Sequence, residues 1–333
     1  MTVHRLDAPD AGLAGPLAPL APEMWALTRP DRHLAVTEEG ECVARASLWW
    51  RNTPSLPDDP AAHVGLVGHV AAARDEAAGA VLAAALDELR TAGAAYALGP
   101  MDGSTWQAYR LVTETAPEGE GPEPPFFLEP WTPPEAVAWF RQAGFAPVAG
   151  YYSARVPALP PRADALGEAE ARLAETSLRL RAFRLEQAEA ELGRLYRVAL
   201  AAFAGNPFYT PQPEAVFRAS YRQLLPHVRP ELLVLAERES ALVGFVFAVP
   251  DLAQAQRRET VDTVIVKTVA VHPDARGEGL GGALVLRVQE AARRLGFRRG
   301  LHALMHEANV SVRISRHNSA YPMRRYALFG RPL

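Results

Sequence analysis

The 333-residue chain is 49% hydrophobic and 22% charged with a formal net charge of -3, which suits a globular protein of two domains and offers no basic field for nucleic acid or an acidic membrane. Its one cysteine, Cys42, excludes an internal disulfide and a cysteine-based zinc site. No run of about 18 apolar residues marks a membrane span and the amino terminus lacks a signal-peptide pattern, so a cytoplasmic setting is expected.

In chain order, Cys42–Trp49 and 62–71 read as strands, and 76–92 as a helix closed by Gly93. Residues 94–98 form a strand running into Gly99–Pro100–Met101. The stretch 116–125, rich in Gly, Glu and Pro, reads as an irregular loop. A helix over 134–143 closed by Gly144 and a strand over 145–154 complete the first half. Pro157, Pro160 and Pro161 break both helix and strand, and set a boundary between domains 1–157 and 158–333. The second half begins with a helix over 185–204. A hairpin of 231–236 with 241–249 follows, then a long apolar strand over 260–271. Next come a helix over 281–295 capped by Gly296, a strand over 299–305, a helix over 309–317 and a strand over 325–329. The shared strand–helix–strand–helix–strand order suggests internal duplication.

The chemistry concentrates where strand 260–271 turns into helix 281–295. The linking residues are Arg276–Gly277–Glu278–Gly279–Leu280–Gly281–Gly282. Backbone N–H groups at a helix start lack intrahelical acceptors, and the helix dipole adds positive potential there. Glycines let a ligand approach closely, so the turn can cradle a diphosphate. Arg276 adds charge, and Glu278 is expected to face solvent. The glycine order does not fit a GxGxxG dinucleotide turn, and no Gly-Lys-Ser/Thr is present for a nucleoside triphosphate.

The run Val269–Ala270–Val271–His272–Pro273–Asp274–Ala275 leading into that loop closely resembles the acetyl-CoA motif of the GNAT N-acetyltransferase superfamily. The resemblance implies an α/β (α+β) fold of two tandem GNAT-like domains, each a mixed, mostly antiparallel twisted sheet flanked by helices. It implies acetyl-CoA as co-substrate, a primary amine as acceptor, and direct attack without an acyl-enzyme. Strands 260–271 and 299–305 would part, and the pantetheine arm would pair with the backbone of Val269, Ala270 and Val271. The diphosphate would rest on Arg276, Gly277, Gly279, Leu280, Gly281 and Gly282, with Asn309 completing the cofactor set. A strand bulge would aim an N–H, taken as that of Val269, at the thioester oxygen.

Proton handling is less defined. Family members often carry a tyrosine seven residues after the asparagine that opens the last helix, but here Asn309 leads to Arg316. Tyr326 is taken as general acid, with Tyr321 as a second candidate. Asp262, Glu259, His302 and His306 are weak nominees for a base, and a structural role is the bland reading of both histidines. Lys267, the only lysine, sits in the central strand and either borders the acceptor site or snorkels to the surface.

In the first half, the strand ending at Ala71 leads into Ala72–Ala73–Arg74–Asp75–Glu76. Two carboxylates stand where the second half has glycines, so this domain is expected to be a degenerate copy. Two aromatic loops, 99–106 and 124–131, could fill the interface between the halves or shape a pocket. The resemblance points to no acceptor and no oligomeric state. The alternative reading is a non-catalytic acyl-CoA-binding or regulatory tandem-GNAT protein.

Overall fold

The computed structural model describes residues 1–9, 12–15, 17, 20–115, 123–309, 311–318 and 320–333. Most of the expected Gly/Pro-rich loop, 116–122, lies outside the described residues.

The first half contributes β1 (Thr2–Leu6), α1 (Pro22–Thr28), β2 (Arg32–Glu38), β3 (Glu41–Trp49), β4 (Val64–Ala72), α2 (Asp75–Thr91), β5 (Tyr96–Gly99), β6 (Leu111–Glu114), α3 (Glu135–Gln142) and β7 (Ala146–Val156). The second half contributes α4 (Ala163–Glu175), β8 (Leu178–Ala182), α5 (Ala188–Phe203), α6 (Glu214–Leu224), β9 (Leu233–Arg238), β10 (Ala241–Pro250) and α7 (Leu252–Gln256). It continues with β11 (Thr263–Val271), α8 (Leu280–Arg294), β12 (Arg299–His306), α9 (Ser311–His317) and β13 (Tyr321–Pro332).

The helices follow their apolar spacing. On α8, Leu280, Ala283, Leu284, Val288 and Ala292 fall on one stripe and are buried against β9, β10 and β11. Burying a leucine or valine in this way stabilises the fold by about 1.5–3 kcal/mol. Gly296 ends the helix at φ 93°, where a side chain would be strained. Its N–H and that of Phe297 satisfy the carbonyls of Arg293 and Ala292. In the first half α2 covers β2, β3 and β4 in the same way through Val81, Leu82, Ala85 and Leu89.

Across the described residues the strands form one sheet in the order β1-β2-β3-β4-β5-β13-β7-β12-β11-β10-β9-β8, with β6 also on β13. The order is a near palindrome. Each half runs antiparallel from its outer edge inward and closes with one parallel pair, β4–β5 or β11–β12. The two last strands are then exchanged. β7, from the first half, pairs with β12, while β13, from the second, pairs with β5, and the two pair with each other at the centre. The tandem layout is therefore a sheet shared by both halves, and a cut at 157/158 leaves each half without the strand that borders its parallel pair. The final strand is longer than the expected 325–329 because it serves β5, β6 and β7 along its length.

Candidate active site

β11 leaves β12 where the sequence places its lysine. The parallel pairing covers Thr263↔Arg299 through Val266↔His302 and then stops. On the opposite edge, Phe247 faces Thr268 and Ala248 faces Val266, so Lys267 is the extra residue of a bulge in β11. β12 is irregular too: its register with β7 shifts between His302 and Met305, and Leu304 takes a φ of 59°. From Lys267 to Val271 the β12 side of β11 faces no strand among the described residues.

The far end of that open edge is the glycine loop. Gly277 and Gly279 take φ values of 88° and 76°, and Gly279 is the N-cap of α8 with no side chain bonded to it. The amides of residues 277–282 have no acceptor among the described residues, and a Cβ at Gly277, Gly279 or Gly282 would meet nothing within 4 Å. Open amides at the positive end of a 15-residue helix fit a diphosphate in both shape and sign. Two flanking charges differ from expectation. The Arg276 guanidinium donates to the Ala202 carbonyl at the end of α5, 2.9 Å away, rather than standing free over the loop. The Glu278 side chain is 24% exposed but paired rather than free: both oxygens are 2.6 Å from Arg238 Nη2, and that arginine holds its pKa below the usual range. The acid is thus neutralised and turned off the loop.

The near end opens into a cavity of about 750 Å³. The second half supplies Val266, Lys267, Thr268 and Val269 from β11, His302–His306 from β12, Asn309 ahead of α9, and parts of α5, α6 and the loop between them. The first half supplies Thr105–Arg110, Leu128–Pro130 and Tyr151. Both aromatic loops therefore do what the sequence left open. Trp106 donates from its indole to the Thr210 carbonyl and packs on Phe203, Tyr209 and Phe217, while Phe126 enters the second half's core. Trp131 stays 43% exposed, under the guanidinium of Arg324.

The loop at Leu128–Glu129 is pinned by charge. Glu129 and Arg324 form an ion pair with both side chains at 0% exposure. The same carboxylate accepts the Phe126 N–H and the Tyr326 hydroxyl. Leu128, at φ 63°, turns its carbonyl to Lys267 Nζ at 3.0 Å. Desolvation, assisted by the charge of Arg110, lowers the Lys267 pKa to about 8.

Of the proposed site residues, Val269 and Asn309 line the cavity, whereas Ala270, Val271 and the loop lie beyond it along β11. The Asn309 side chain accepts the Ser311 N–H and so opens α9. Tyr326 stands apart. Its hydroxyl is held by Glu129 and Ser153 behind the cavity wall, the residue is 1% exposed, and burial raises its pKa well above the ordinary value. The general-acid assignment fails on access: the hydroxyl serves the wall. Tyr321 is committed to Arg155. Asp262 is bonded to Arg299, Gln254 and Thr263, and Glu259 to Arg257, both outside the cavity lining. His302 bridges Gln289 and Ser315 and is lowered to about 4 by burial, so it is a neutral structural group. His306 lines the cavity, with its ring 5.0 Å from that of Tyr151. Tyr109, Arg110, Tyr151, Tyr209 and Tyr221 also line it and carried no sequence signal, since no motif joins them.

Residues 195–313 match the family model described as the Acetyltransferase (GNAT) family. That stretch is the part of the chain that is similar in sequence to the GNAT family. Solved GNAT structures are similar in fold over 90–98% of the chain. A GCN5-related N-acetyltransferase from Sphaerobacter thermophilus is 16% identical, with a TM-score of 0.50 over 90% of this chain and 80% of that one. A tandem GNAT protein from the clavulanic acid biosynthesis pathway is 15% identical, with a TM-score of 0.50 over 98% of this chain and 92% of that one. The glucosamine N-acetyltransferase region of a fungal multi-domain GH3 beta-N-acetylglucosaminidase aligns at 14% identity and a TM-score of 0.54, over 94% of this chain and 35% of that one. At these identities the likeness is one of fold. A search of curated proteins gives no match. The chemistry of the GNAT family is acyl transfer from an acyl-coenzyme A.

Proposed function

We propose that the chain is an acetyl-CoA-dependent N-acyltransferase whose second half binds the coenzyme and whose acceptor pocket is built by both halves. The observation that carries this reading is the continuous path from the amides of 277–282, along the open edge of β11, to the bulge at Lys267 at the mouth of the cavity. The loop would hold the diphosphate, and the edge from Lys267 to Val271 would hold the pantetheine arm, with Val269 N–H as the oxyanion donor.

In the reaction the acceptor nitrogen attacks the thioester carbonyl carbon and the C–S bond breaks with its electron pair going to sulfur. The nitrogen loses a proton and the thiolate gains one. Catalysis is then largely positioning, which a preformed cleft supplies. Tyr209 replaces Tyr326 as the proposed proton donor to sulfur: it lines the cavity, its hydroxyl is buried but uncommitted to a partner among the described residues, and burial raises its pKa to about 12, so it keeps its proton. The first half is proposed as a degenerate copy that gives walls rather than a coenzyme site. The competing reading, an acyl-CoA-binding protein without turnover, is favoured by Arg316 standing where family members often have tyrosine and by the enclosure of Tyr326. Coenzyme A release followed with a thiol reagent, across a panel of primary amines, separates the two. Turnover that drops in Tyr209→Phe at unchanged coenzyme affinity supports the enzyme, and tight binding without turnover on any amine supports the alternative.

A further inference from the structure

The cavity's charges do not balance. Glu129 is the single acid among its lining residues, and that carboxylate is spent on Arg324, Tyr326 and the Phe126 amide. Two cations remain, Lys267 and Arg110. Arg110 is 4% exposed and forms no ion pair with an acid among the described residues. Its guanidinium is stacked on two rings, 3.7 Å from the centroid of Tyr109 and 4.0 Å from that of Tyr151. Nη1 donates to the Leu304 carbonyl at 3.2 Å, and buried Nε has no partner. The backbone is bent to put it there: Arg110 takes a φ of 79°, its N–H bonded to the Pro100 carbonyl.

A desolvated guanidinium without an acid is costly. Ring stacking offsets part of that cost but neutralises nothing. Stacking does fix the plane of the fork, which is what two-point recognition of a carboxylate or phosphate requires. Lys267 adds a second positive charge at the bulge, and its Nζ is turned toward the first-half loop by the Leu128 carbonyl.

We infer that the acceptor is an amine that also carries an anionic group, a carboxylate or a phosphate, which Arg110 and Lys267 grip at the first-half wall of the cavity. This rests on the acyltransferase reading above. The anion's place is at Arg110 because the coenzyme path reaches the cavity from β11, on the second-half side. A neutral or cationic amine would leave both charges unmatched in the cavity and would be rejected.

The test uses the full chain with acetyl-CoA. Each of several amino acids is compared with its methyl ester, and each of several aminoalkyl phosphates with the corresponding amino alcohol. Coenzyme affinity is measured separately by calorimetry. Loss of even one charge-assisted hydrogen bond lowers kcat/KM by roughly tenfold to a hundredfold. The expected result is kcat/KM higher by at least that factor for the anionic member of one pair class, and the class that wins names the anion. In Arg110→Met the preference should collapse through a raised KM, with acetyl-CoA affinity within twofold of the parent. Equal turnover of acids and esters, or of phosphates and alcohols, overturns the inference while leaving the acyltransferase reading intact. Failure to bind acetyl-CoA instead removes the underlying reading. The wild-type comparison needs no variant, so it stands even if Arg110→Met does not fold.

Discussion

In both halves a short parallel pairing gives out beside a bulge. β4 leaves β5 after Leu66↔Leu98, and β11 leaves β12 after Val266↔His302. The two gaps hold different things. In the first, the chain after β5 folds back in: Met101 N–H bonds to the Val67 carbonyl at 2.9 Å, and Asp102 accepts the His69 N–H at 2.7 Å. A Cβ at Gly68 would stand 2.3 Å from the Met101 carbonyl oxygen, so the closure is tight. Behind it, His33, Ser47 and His69 form a buried chain of hydrogen bonds. In the second, the edge after Val266 stays open and the glycine loop stands at its end. One architecture can therefore expose or consume its main-chain donors, depending on whether the next segment turns in or away.

The joint between the halves gives the largest expected effect. Arg324→Met leaves the Glu129 carboxylate buried without its cation, and stability should fall by about 3–5 kcal/mol, read as a lowered denaturant midpoint. Next comes Gly282→Asp, where open space and ordinary backbone accept the side chain. A carboxylate beside the diphosphate should weaken coenzyme affinity roughly a hundredfold, since a like charge in a partly desolvated site costs a few kcal/mol. Gly79→Asp, on exposed ground in α2, should change it less than twofold.

The acid side of the stability profile carries contributions of both signs. Burial lowers His33, His69 and His302 to about 4 from an ordinary 6.5. Between those values the unfolded chain binds more protons, so each histidine's contribution is present above pH 6.5 and lost as pH falls toward 4, by at most about 3 kcal/mol. Asp102 runs the other way. Burial raises it to about 6, so its ionisation takes stability away as pH rises from about 4 to 6. His302→Gln should therefore flatten part of the acid slope in chemical denaturation, and Asp102→Asn should steepen it. A smaller effect is expected from Gly68→Ala. The clash with the Met101 backbone should lower stability by about 1–3 kcal/mol and leave coenzyme affinity as it was.

The sequence showed the second half's site in outline because strand, loop and helix are contiguous there. Val269–Gly282 carries its own signature, and strand, loop and helix follow one another there as expected, while Arg276 and Glu278 take partners that no local pattern reveals. The exchange of β7 and β13 was not legible, because strand partners are chosen across the whole chain and periodicity says only that a strand exists. The same holds for the cavity. Tyr109 and Arg110 come from the loop between β5 and β6 and Tyr151 from β7, and only β7's pairing with β12 and β13 brings them near Lys267. Tyr326 was named for its place in the last strand. Its burial depends on Glu129, 197 residues away, which no local pattern reveals.

Of the two similar gaps, one is open. Isothermal titration of the full chain with acetyl-CoA tests it directly. One site per chain is expected, abolished or strongly weakened in Gly282→Asp and retained in Gly79→Asp. No measurable binding, two equivalent sites, or a single site indifferent to Gly282→Asp would contradict it.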